Sequence, residues 1–169
     1  ISEEGNLRPQ LLDRFGMVVD VEAETDVDKR VQIIENRMAY EKNPGYFCRK
    51  YKESQEELFE RIRSAREFLP TVRVPKELLR LAAQICVAYG TDGHRADIGM
   101  IRTAQTIAAL EGRKKASRED LERAARYVLP HRMRKNPLED GQMDPQVMEE
   151  ILSAGKKSSR ESEASGEGD

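Results

Sequence analysis

Val74-Pro75-Lys76-Glu77-Leu78-Leu79-Arg80-Leu81-Ala82-Ala83-Gln84-Ile85-Cys86-Val87-Ala88-Tyr89-Gly90-Thr91-Asp92-Gly93-His94-Arg95 is the stretch on which the fold turns. Proline is tolerated in the first turn of a helix, where its missing N–H has no intrahelical partner, so Val74-Pro75 reads as a helix start. Leu78, Leu81, Ala82, Ile85 and Tyr89 then recur at helical spacing and supply a buried face until Gly90 stops the helix. Thr91-Asp92-Gly93 is too short for anything but a connection. From His94 a further helix carries Ile98, Ile101, Ala104, Ala108 and Leu110, ending before Gly112, a residue suited to the left-handed position past a helix end. Helices joined this tightly pack as a bundle.

Outward from there the pattern continues. Downstream, Ser117 with Asp120 has the form of a capping box and opens a helix through Leu121, Ala124, Ala125 and Val128, closed before Pro130. Upstream, Thr25 with Asp28 has the same form, and Val27, Val31, Ile34 and Met38 recur at helical spacing as far as Lys42. Asn43-Pro44-Gly45 breaks that helix. Tyr46, Phe47 and Tyr51 give a turn, and Leu58, Ile62, Ala65 and Leu69 form one face of a longer helix stopped by Pro70. Nearer the start, Pro9, Leu11, Leu12 and Phe15 predict a short helix up to Gly16, and Met17-Val18-Val19-Asp20-Val21-Glu22 reads as a strand that needs partners from elsewhere. Val147, Met148, Ile151 and Leu152 are spaced for a marginal amphipathic helix. Residues 155–169 hold only Lys, Ser, Arg, Glu, Ala, Gly and Asp, too little apolar surface to offset the entropy of ordering.

Composition narrows the functions. Acidic residues number 31 against 29 basic ones, which argues against a generally basic nucleic-acid surface or a membrane-attracted face. Charged residues at 36% with aromatics at 5% suit amphipathic helices and predict a mainly α fold. Cys48 and Cys86 lack any Cys-x-x-Cys spacing, so neither a disulfide framework nor a zinc site is expected, and a reducing compartment fits. No apolar run approaches the roughly 20 residues of a membrane span. Ile1 is not an initiator residue, so any targeting peptide is expected to lie outside the sequence.

Chemistry-bearing residues are few. The chain contains no Gly-x-x-x-x-Gly-Lys-Ser/Thr loop and no apolar strand ending in paired acids. His94 and His131 are far apart and lack the neighbours of a metal site. Two arginines stand out. Arg14 follows the short first helix; a planar, permanently charged guanidinium there suits a phosphate, and equally suits an ion pair with Asp13 or Glu22. Arg95 follows the freely turning Gly93 at the start of a helix, where unpaired N–H groups and the helix dipole attract anions; Asp92 and Asp97 are its alternative partners. A helix-turn-helix reading, with Arg102 or the basic run from Arg132 to Lys135 on DNA, is disfavoured by the near-neutral charge and the absence of interleaved aromatics.

The run from Glu3 to Gly16 resembles the arginine-finger segment of the magnesium chelatase I subunit, an AAA+ ATPase. Val72 through Arg134 resembles that family's C-terminal helical lid, with Asp92 to Asp97, Ala108 to Arg113 and Leu129 to Arg134 as the family-like runs. The likeness covers about Glu3 to Leu138 and keeps its motifs in order. The family's pattern has Asn-Pro before Glu-Glu-Gly where this chain has Ile1-Ser2, and a sequence boundary is expected to fall there.

The resemblance implies a division into 1–24, a remnant of the AAA+ α/β core with the finger; 25–70, connecting helices; 71–138, the lid; and 139–169, a polar, largely disordered tail. It implies Arg14 as a finger acting in trans on a neighbouring subunit's nucleotide, Asp13 at the same subunit interface, Arg95 as the sensor-2 arginine on the phosphates, and Arg8 as a further interface arginine. In the parent protein it implies ATP and Mg²⁺, a homo-oligomeric ring, expected to be hexameric, and D- and H-type partner subunits that insert Mg²⁺ into protoporphyrin IX. The expected location is the cytoplasm, or the plastid stroma in a plant or alga. Nucleic acid is not an expected partner, no membrane span is expected, and the 169 residues alone are not expected to bind or hydrolyse ATP. The alternatives are a chelatase-like AAA+ motor with a different protein client, and a non-enzymatic helical adaptor.

Overall fold

The computed structural model describes Leu11 and residues 14–133. Six α-helices follow one another: α1, Val27–Lys42; α2, Pro44–Lys50; α3, Lys52–Phe68; α4, Lys76–Ala88; α5, Arg95–Leu110; and α6, Arg118–Val128. A single turn of 3₁₀ helix, Leu69–Thr71, ends α3. The predicted mainly α architecture is observed, and no strand occurs among the described residues.

The core lies among α4, α5 and α6. Leu78, Leu81, Ala82 and Ile85 of α4 are buried as their spacing predicts, as are Leu121, Ala124, Ala125 and Val128 of α6. On α5 the buried face is rotated from the predicted one: Ala96, Met100, Ala104, Ile107, Ala108 and Ala109 are covered, while Ile98 is half exposed. The reason is the abundance of small residues. Alanine-lined faces let α5 and α6 approach closely, and Ile98 is left on the outer side.

Short polar devices fix the helix ends. Gly90, Gly93 and Gly112 hold positive φ values of 62°, 69° and 68°, so the α4–α5 and α5–α6 turns pass through backbone that L side chains rarely adopt. The Ser117 and Asp120 capping box forms as read. The cap of α1 falls on Asp26, whose side chain accepts from the Lys29 amide at 3.1 Å, in place of the predicted Thr25 with Asp28. Asn43 ends α1 and caps α2, accepting from the Tyr46 amide at 3.0 Å.

Two long-range links were invisible in sequence. Arg73 donates to the Lys114 carbonyl at 2.9 Å and accepts from the Ala116 amide at 3.0 Å, so the α3–α4 and α5–α6 connections are joined by one parallel bridge. Asp120, only 1% exposed, accepts from Arg113 Nη1 at 2.8 Å and Nη2 at 2.5 Å, and Glu111 joins Arg113 to Arg123. The family-like run ending at Arg113 is therefore a structural joint.

Several expectations are corrected. Met17 to Glu22 forms neither strand nor ladder: its neighbour is the end of α6, and Val19 and Val21 stay exposed. The stripe Val27, Val31, Ile34, Met38 is helical, but α1 has no buried residue because it packs chiefly on α2. On α3 only Ala65 is buried, with Leu69 beyond it half covered, where the helix crosses α5; Leu58 and Ile62 are exposed. Periodicity marks an apolar face without saying what covers it. Of the first predicted helix, Leu11 is helical and the Arg14 amide donates to its carbonyl at 3.0 Å. The predicted tail and the helix around Met148 lie outside the described residues.

Asp120 carries a pH signature. Burial alone pushes its carboxyl up, but the Arg113 guanidinium and the Ser117 amide and hydroxyl outweigh it and hold the group below the usual aspartate range. A depressed folded value contributes stability that is present above the unfolded value, about 3.9, and is lost as pH falls through the folded one. Thermal melts from pH 7 to pH 2.5 are expected to show the wild type losing Tm below about pH 4 more steeply than Asp120→Asn; parallel curves would contradict it. At pH 7 Asp120→Ala is expected to cost about 2 kcal/mol from the lost cap and an ion pair that still touches water.

Candidate functional site

Arg95 is the first residue of α5, preceded by His94 at the cap position and by Gly93 in the left-handed region. The His94 side chain makes no capping hydrogen bond at this helix end, and Arg95 stands exposed there. Amide donors, the positive end of the helix dipole and a guanidinium thus converge on one point, which fits an anionic oxygen such as those of a nucleotide phosphate. Asp97, offered by sequence as a partner for Arg95, has its Oδ2 3.8 Å from His94 Nδ1.

Behind that helix end lies Cys86, buried in the core. Burial pushes its thiol up to about 12; the Thr91 hydroxyl works against that shift and the Asp97 carboxylate adds to it. The thiol is therefore protonated at neutral pH and acts as core packing.

Arg14 is an exposed turn residue at the head of a strap. The strap, residues 15–18, runs over α5 and α6: the Val18 amide donates to the Tyr127 carbonyl at 2.9 Å, and Thr103 Oγ1 donates to Met17 Sδ at 3.5 Å. Gly99 makes room for α6 and stands at ordinary contact distance from the strap. A Cβ at Gly99 would lie 3.2 Å from Val128 Cγ1 and 4.0 Å from the Gly16 carbonyl. The strap that follows Arg14 therefore crosses the helix that begins with Arg95. Asp13 and Arg8 lie outside the described residues.

Sequence reasoning missed what holds the strap. Arg132 Nη2 donates to the Phe15 carbonyl at 2.6 Å, and His131 Nε2 lies 3.0 Å from the same oxygen. Arg132, weighed above only as part of a disfavoured DNA-contacting run, is thus turned onto the backbone of the Arg14 segment. The run Leu129 to Arg134 was marked as family-like, but nothing in its residue types points to a partner 117 positions away. Among the described residues no cluster of His, Cys, Asp and Glu is arranged to hold a metal, and no helix is long and apolar enough to cross a membrane.

Residues 79–151, which include α5 and the helix end at Arg95, match the family described as AAA lid domain. Within that class the chain is a homologue, over most of its length, of magnesium-chelatase I subunits. It is 41% identical over 155 residues to the magnesium-chelatase subunit ChlI homolog of Methanocaldococcus jannaschii, covering 92% of this chain and 42% of that one. An uncharacterized protein of Mycobacterium tuberculosis is 45% identical over 150 residues, 89% of this chain and 24% of its own. The magnesium-chelatase 38 kDa subunit of Acidiphilium rubrum is 41% identical over 138 residues, 82% and 40% respectively. The chain spans less than half the length of each of these relatives. A crystal structure from Cytophaga hutchinsonii, described as that of an ATPase, superposes with a TM-score of 0.61 over 90% of this chain and 50% of that one, at 20% identity; this likeness establishes the fold.

The two cysteines are expected to separate cleanly under a thiol reagent at pH 7.5. Cys48 is exposed and reacts at once, whereas Cys86 reacts only after denaturant is added. Two thiols titrating together in the native protein would contradict the burial and protonation of Cys86.

Proposed function

We propose that this chain supplies the arginine finger and lid of the ATP-driven motor subunit of a magnesium chelatase. The observation that carries the reading is the exposed placement of Arg95 as the first residue of α5, on a chain 41% identical to a named chelatase subunit. In this reading ATP, held with Mg²⁺ by the remainder of a longer protein, supplies the phosphoryl group that water attacks. Arg95 and the first amides of α5 contact its phosphates and make lid position depend on nucleotide state. Arg14 reaches the nucleotide of the adjacent subunit in a homo-oligomeric ring, proposed to be hexameric, where its forked donors stabilise charge developing on the transferred group. Asp13 and Arg8 belong to the same interface.

The hydrolysis cycle would then work with D- and H-type subunits to insert Mg²⁺ into protoporphyrin IX, in the cytoplasm or a plastid stroma. A second reading keeps the motor and changes the client to another protein. It is supported by the spread of relatives, of which one is named only as a homolog of the chelatase subunit and another bears no chelatase name.

Three measurements test the proposal. The 169-residue chain alone, freed of contaminating ATPase, should not turn over ATP; turnover would refute the dependence on further segments. In the complete protein Arg14→Ala should leave nucleotide binding within about twofold and lower ring-dependent hydrolysis by on the order of 10³, the scale of arginine fingers. Arg95→Ala should weaken nucleotide binding itself. Unaltered hydrolysis in both variants would overturn the assignment, and porphyrin metallation with D- and H-type subunits separates the two clients.

A further inference from the structure

The strap that follows Arg14 is held at one atom more firmly than elsewhere. The Phe15 carbonyl oxygen faces Arg132 Nη2 at 2.6 Å and His131 Nε2 at 3.0 Å. A carbonyl has two acceptor sites, and Arg132 Nη2 occupies one of them. Which nitrogen of His131 carries the proton decides how it takes part: protonated at Nε2 it donates to Phe15, and protonated at Nδ1 it accepts from Arg132 Nε, 3.1 Å away. His131 Nδ1 is buried without a hydrogen-bond partner among the described residues. Either form serves the clamp: the first adds a donor to the Phe15 carbonyl, and the second steadies the Arg132 guanidinium through its Nε. A guanidinium beside a carbonyl makes the stronger, charge-assisted kind of hydrogen bond.

This clamp sits one peptide bond from Arg14. A side chain on a turn is only as well placed as its backbone, and beyond the clamp the strap's own apolar side chains give little purchase: Phe15 and Met17 are half exposed. Among the described residues its other attachments are the Val18 amide on Tyr127, the Thr103 contact and the van der Waals contact at Gly99. All of them lie on α5 and α6, so any shift of those helices is passed to the backbone beside Arg14. Arg132 reaches the strap from the turn that follows α6.

We propose that Arg132, assisted by His131, is a positioning residue: it fixes the backbone beside Arg14 to the lid, so that the finger's placement follows the helix that begins at Arg95. This rests on the finger reading of Arg14 given above. It adds that the two arginines are mechanically joined within one subunit.

Two measurements test it separately. In the 169-residue chain, amide exchange reports the clamp without any catalytic assumption. Arg132→Gln should speed exchange at the Val18 amide by about tenfold or more while Ala104 in α5 and Ala125 in α6 keep their protection. An unchanged Val18, or equal loss of protection in both helices, overturns the clamp. Should Arg132→Gln fail to fold, Arg132→Lys, which keeps charge and stem but lacks the fork, is read by the same criterion. In the complete ring-forming protein Arg132→Gln should lower kcat at least about tenfold with KM for ATP within about twofold, an interaction lost only in the transition state. The double variant with Arg14→Ala should fall no lower than Arg14→Ala alone. Additive losses overturn the coupling, whereas an Arg14→Ala protein with full turnover overturns the finger reading and leaves the exchange result to judge the clamp.

Discussion

The close packing of α5 on α6 is the contact on which the rest depends. Ala104 and Ala108 on one side, and Ala124 and Ala125 on the other, are fully buried, and Gly99 lies so close to Val128 that a methyl group there would crowd it. Small side chains contribute little apolar area each, yet they let two backbones approach and give larger neighbours such as Met100, Ile85, Leu121 and Leu129 a continuous surface to fill. The joint at the far end, Glu111, Arg113, Asp120 and Arg123, holds the turn between the same two helices. Fixing this pair fixes the start of α5 at one end and the platform for the strap at the other.

Function enters through what that pair leaves open. At the start of α5 the His94 side chain makes no capping hydrogen bond, so the helix dipole and Arg95 set the character of that end. The strap has no sheet to join and is instead pinned by backbone hydrogen bonds and by the Arg132 clamp. A site assembled from a helix end and a strap is sensitive to small helix movements, because neither part carries a core of its own. Such sensitivity suits a lid whose position reports nucleotide state.

The helices were legible because their signals are local. Apolar spacing, Pro75, Asn43, Ser117 with Asp120, and the glycines at 90 and 112 each act within a turn or two, so α4 and α6 appear with their buried faces as read. Faces failed where burial depends on distant partners. Ile98 and the α1 stripe look as apolar as Leu81 or Leu121, but the described residues leave them about half exposed or more, and Met17 to Glu22 has strand chemistry without a neighbouring strand among them.

The candidate site divides along the same line. By itself the sequence determined the helix starts, the exposed position of Arg95 after a turn-forming glycine, and the chain's kinship with AAA lids, since each is carried by residues close together in order. Only the tertiary structure decided that Arg132 and His131 meet the Phe15 carbonyl, that Gly99 lets α6 approach at Val128, and that Asp97 faces His94 and Cys86. Contacts across more than a hundred residues are set by how helices pack, and side-chain spacing along one helix holds no record of what the next one brings.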